Sequence, residues 1–120
     1  MRVKTIQTGN KELVVVDCSN IFSDTELYET LNDGNKMIAS KPEKSVHLIT
    51  NLSGSKVNGE VGAAFKQYAA NNTPYIKEAA VVGLDNMHKL IFSVIKTLAR
   101  RNIQLCATME EAVQYMESVS

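Results

Sequence analysis

The sequence predicts an α/β domain in which a mixed, mostly parallel sheet of about five strands, with an antiparallel edge strand, is packed by about four helices. Three observations predict it. The run Leu13-Val14-Val15-Val16 is apolar at every position, as a strand covered on both faces is. Strand-like runs over 46–52, 79–84 and 103–107 alternate with segments whose apolar residues fall at helical spacing, the order that joins parallel strands by crossovers. The length, 120 residues and 13.2 kDa, suits one domain over residues 1–120. A domain of that size buries about two-thirds of its unfolded surface without disulfides or metals.

The elements follow in chain order. Residues 1–17 alternate polar and apolar about Thr8-Gly9-Asn10, which predicts a hairpin ending in the buried strand that closes at Asp17. Ser23 and Glu26 form a capping box, and Leu27, Leu31 and Ile38 mark one side of a helix running toward Pro42. Asp33-Gly34 weakens that helix and leaves room for a break, because glycine inside a helix costs about 1 kcal/mol relative to alanine. The strand over 46–52 leads into a polar loop, residues 53–59, and Asn58 is placed to cap the helix carrying Val61, Phe65, Tyr68 and Ala69. Asn71-Asn72-Thr73-Pro74 ends that pattern. A strand over 79–84 precedes a wide apolar stripe, Met87, Leu90, Ile91, Val94, Ile95 and Leu98, closed by Arg100-Arg101. The strand over 103–107 and a second capping box, Thr108 with Glu111, open the last helix.

Composition removes several functions. Thirteen basic and thirteen acidic residues give zero formal charge, without the basic footprint of a nucleic-acid binder. No apolar run approaches a membrane span and the start lacks a signal-peptide core, so a cytoplasmic location is expected. Cys18 and Cys106 match neither a disulfide framework nor a metal spacing, and His47 and His88 have no partner at ligand spacing. No metal, cofactor or catalytic residue is predicted. His47 reads as a satisfied core or edge residue, and the cysteines as small hydrophobes. Gly54 and Gly59 superficially match a phosphate loop, but Glu60-Val61 stand where Lys and Ser or Thr are required. Asp17 invites comparison with a phospho-accepting aspartate, yet Asn51 and Leu84 at the neighbouring strand ends supply no carboxylate for magnesium.

The segments VVVDCSNIFSDTELYETL, VHLITNLSGSKVNGEV, KEAAVVGL before a long apolar helix, and RRNIQLCATMEEAVQYM, in this order, resemble the SpoIIAA-like or STAS domains of the anti-sigma-factor-antagonist type, in their small stand-alone bacterial version. The resemblance spans Leu13 to Met116. It implies a SpoIIAA-like fold and a non-enzymatic signalling module that binds a protein partner or a small ligand. In phosphorylation-switched members a serine stands at the start of the helix after the second parallel-type strand; that place falls near Asn58 here, so Ser53 or Ser55 would have to take the modification.

The residues singled out for binding are therefore Ser53, Ser55, Lys56 and Asn58. Serines offer hydroxyls, Lys56 charge, and Asn58 a helix start with free amides. Two rival readings accompany this one. An enzyme or small-ligand site would use a pocket at the strand ends near Asp17, Asn51 and Leu84. A structural homodimer would use Phe92, which lies off the main apolar line of its helix.

Overall fold

The computed structural model describes residues 2–55, 61–83 and 103–119. Five strands, β1 (Val3–Thr8), β2 (Lys11–Asp17), β3 (Val46–Asn51), β4 (Ile76–Val82) and β5 (Ile103–Cys106), form one sheet in the order β1-β2-β3-β4-β5. The hairpin pairs β1 antiparallel to β2, with Val3 opposite Val16 and Thr8 opposite Lys11. All the other pairs are parallel. The α/β class, the antiparallel edge and the mostly parallel sheet stand as the sequence predicted.

Side-chain alternation splits the core into two layers. Val14, Leu48, Ala79 and Ile103 lie in register across four strands and meet α1 (Asp24–Ala39) and α2 (Val61–Asn72) on one face. Leu13, Val15, Ile49, Ala80 and Val82 meet Ala112 and Met116 of α3 (Met109–Ser118) on the other. With both faces of β2 and β3 covered, the unbroken apolar runs are accounted for. Phe65 of α2 is among the largest fully buried side chains, and its ring meets that of Tyr68 edge-on at 6.3 Å. Tyr68 places its hydroxyl 3.0 Å from Thr50 Oγ1, which pairs two polar groups inside this layer.

Both N-cap side chains bond the helix start as predicted. Ser23 Oγ accepts from the Glu26 amide at 3.4 Å and Thr108 Oγ1 from the Glu111 amide at 3.2 Å. α1 continues unbroken through Gly34, where the sequence left room for a break. The reason is packing: a Cβ there would lie 2.7 Å from Val16 Cγ2, so the missing side chain lets the helix approach β2. β4 begins at Ile76, ahead of the Ala79 expected. Ile76 is buried and pairs with Val46, and an irregularity after Val46 passes over exposed Lys77 before His47 meets Glu78. A short 3₁₀ turn, Thr73–Tyr75, carries Pro74 between α2 and β4. The described residues hold three α-helices where four were predicted; the expected helix with Met87, Phe92 and Leu98 lies outside them.

Candidate functional site

Because β2, β3, β4 and β5 are parallel, their C-terminal ends share one edge of the sheet, where open α/β sheets hold ligands. The loops leaving this edge are tied to one another. Hydrogen bonding continues past the strands: the Cys18 amide donates to Asn51 O at 2.8 Å and the Asn20 amide to Ser53 O at 2.8 Å. Leu52 N–H reaches Val82 O at 2.8 Å, and Gly83 N–H reaches Cys106 O at 3.0 Å. The result is a rim of fixed backbone across four strand ends.

Two register partners, Asp17 and Asn51, turn the chain in the same way. Asp17 Oδ1 accepts from the Ser19 amide at 3.0 Å and the Ser19 hydroxyl at 2.5 Å, and Asn51 Oδ1 accepts from the Ser53 amide at 3.0 Å. Each is a side chain bonding the backbone two residues on, which bends the exit of a strand. Glycine completes the turns. Gly54 and Gly83 have φ of 72° and 78°, and a Cβ on Gly83 would lie 2.6 Å from Ser53 Cα, so these two loops touch only because the side chain is missing.

Ser55, expected to offer its hydroxyl outward, is instead 2% exposed. Its Oγ accepts from the Ile21 amide at 3.0 Å and donates to Cys18 O, so it braces the β3 loop against the β2 loop. A kinase or ligand reaches that hydroxyl only after the loops part. Ser53 is half-buried on the rim with its side chain against Gly83. Lys56, Asn58, Leu84, His88 and Phe92 lie outside the described residues.

Two residues at this edge went unread in the sequence. Arg2 is carried beside Asp17 by the hairpin register; its Nη1 donates to Asp17 O at 3.1 Å and Ser19 O at 2.8 Å, and its Nε lies 3.5 Å from Glu26 Oε2. Nothing local in MRVK signals this. Phe22 is 68% exposed, while its neighbour Ile21 is fully buried. It follows the Asn20 amide and the Ser55-bonded Ile21 amide, so it stands beside the braced loops. The adjacent apolar pair Ile21-Phe22 just before the Ser23 cap was the available signal.

The two thiols are poorly placed for nucleophilic chemistry. Burial pushes the Cys18 thiol up to about 12, with Asp17 adding to the effect and Arg2 opposing it. Cys106 is raised by burial and by Glu111. Both thiols stay protonated at neutral pH, and a thiol rather than a thiolate is a poor nucleophile. Among the described residues no group of three or more His, Cys, Asp or Glu side chains is arranged to hold a metal ion. No helix there is long and apolar enough to cross a membrane. No protein-family model, curated protein or solved structure matches the chain.

Proposed function

We propose that this chain is a non-enzymatic interaction module of the STAS type that binds a protein partner through the rim at the strand ends. The observation that carries the reading is the exposure of Phe22 on loops whose backbone is already fixed by Asn20, Ser53, Ser55 and Gly83. An exposed aromatic on a rigid frame loses little entropy when a partner covers it, which is what makes such residues binding anchors. In this reading Phe22 is the anchor and Ser53 the serine available for modification. A phosphate there adds about two negative charges beside Gly83 and forces the two loops apart. Lys56 and Asn58 continue the same loop in the sequence.

The alternative reading, a small-ligand or catalytic pocket at this edge, requires groups with free polar atoms. One oxygen of Asp17, Oδ1, is engaged by Ser19, and the flanking thiol of Cys18 is buried. Both facts favour the interaction reading.

Affinity capture from the source cell with wild-type protein and Phe22→Ala tests the proposal. The substitution is at a solvent-exposed site and is expected to shift stability by no more than about 0.5 kcal/mol. A specific partner retained by the wild type and lost with Phe22→Ala is expected. The same partner held equally by both proteins would contradict the assignment of Phe22.

A further inference from the structure

Away from the rim, α1 and α2 enclose a groove of about 270 Å³. Its lining carries no charge. Four carboxamides, Asn32 and Asn35 from α1 with Gln67 and Asn71 from α2, surround a floor that includes buried Leu31, and Tyr28, 41% exposed, stands at its margin.

The amides at the base have a fixed direction, set by one backbone atom. The Tyr68 carbonyl only accepts, so Asn35 must turn its Nδ2 toward it, and does so at 3.1 Å. Asn35 Oδ1 then faces Asn72, which must donate, and its Nδ2 lies 3.2 Å away. That leaves Asn72 Oδ1 buried without a partner, in a residue 1% exposed. Burying an acceptor in this way costs about 1–3 kcal/mol. The relay thus holds Asn35 in a single orientation at the expense of Asn72, a residue that does not itself line the groove.

Asn35 presents one remaining N–H and one remaining lone pair. Gln67 Nε2 donates to Asn71 Oδ1 at 2.8 Å, which leaves Gln67 its oxygen and one N–H, and Asn71 two N–H groups and one lone pair. Both donors and acceptors therefore line a neutral cleft that has an apolar floor and an aromatic edge. Vicinal hydroxyls, each both donor and acceptor, match such a lining, and the C–H face of a sugar ring matches the phenol and Leu31. A charged ligand would lose its hydration here without gaining a counter-charge. The groove runs along residues 28–35 and 64–71, two helical turns or about 10 Å on each side. That length suits one or two sugar rings. An extended peptide is recognised through a sheet edge and a helix through an apolar groove, and this site is neither.

We propose that the α1–α2 groove binds a small neutral polyhydroxyl ligand of mono- or disaccharide size. This site is separate from the rim and stands or falls independently of it. Glucose, galactose, N-acetylglucosamine and maltose, each titrated into full-length ¹⁵N-labelled protein, test it through the side-chain amide resonances of Asn32, Asn35, Gln67 and Asn71. Glucose 6-phosphate and a blocked trialanine serve as charged and peptide comparisons. At least one neutral sugar is expected to move these resonances saturably, with glucose 6-phosphate weaker. The exposed Asn71→Ala variant is expected to lose roughly tenfold in affinity while keeping its unfolding midpoint, the equivalent of about 1.4 kcal/mol. Absence of saturable shifts with every neutral sugar, a response to trialanine alone, or sugar shifts unchanged in Asn71→Ala would overturn the proposal.

Discussion

Ser55 shows how a residue type can be read correctly as polar and wrongly as available. Its hydroxyl joins Cys18 O to the Ile21 amide from within the core edge. Removing it leaves both backbone groups short of a partner. Ser55→Ala is expected to cost about 1–3 kcal/mol, measured as a lower urea midpoint with the slope unchanged. His47 departs from its expected satisfied state in a different way. It is 8% exposed and its Nε2 has no hydrogen-bond partner. Burial first, then Lys11 and Lys77, hold its pKa below the ordinary 6.5, with Glu78 opposing them. The unfolded chain therefore takes up a proton that the folded chain resists. Stability from this site is complete above pH 6.5 and declines as pH falls from there toward the lower folded pKa. Unfolding midpoints at about pH 7.5 and pH 5.5 should differ more for the wild type than for His47→Gln; an equal difference would remove His47 as the source.

At the scale of elements, α1 and α3 start at the caps their sequences mark, and the glycine inside α1 is instructive. In a free helix, Gly34→Ala would add about 1 kcal/mol of stability. Here the new methyl meets Val16 at 2.7 Å, so the substitution is expected to destabilise. Val16→Ala opens the space, and the pair should couple favourably in a double-mutant cycle. Independent, additive effects would show that α1 does not rest on β2 at this point. Strand and helix types were legible because periodicity and capping are local. The continuity of α1 was not, since Gly34 owes its place to a strand eighteen positions earlier. The start of β4 was missed for a similar reason: Ile76 follows a proline turn and is drawn into the sheet by Val46, a partner visible only once the sheet is formed.

Over the whole molecule, a largely parallel sheet places the exits of four strands together and leaves the loops to build a surface. The sequence located this edge through the polar loop at Ser53 but not its composition. Arg2 reaches it through the β1–β2 register, and Phe22 stands out on it because Ile21 takes the inward place. The frame depends on Gly83, whose φ and closeness to Ser53 leave no room for a side chain. Gly83→Ala is expected to cost about 2 kcal/mol or more and to lower the urea midpoint by about 1 M. It should weaken partner capture along with stability, whereas Phe22→Ala should weaken capture alone.

The claim that the rim is the partner surface is tested most directly by a photoreactive phenylalanine analogue placed at Phe22 and, as a control, at exposed Glu110 of α3. Irradiation in the source cell is expected to give one dominant protein adduct from position 22 and none of that mass from position 110. The same adduct from both positions, or from position 110 only, would contradict the account.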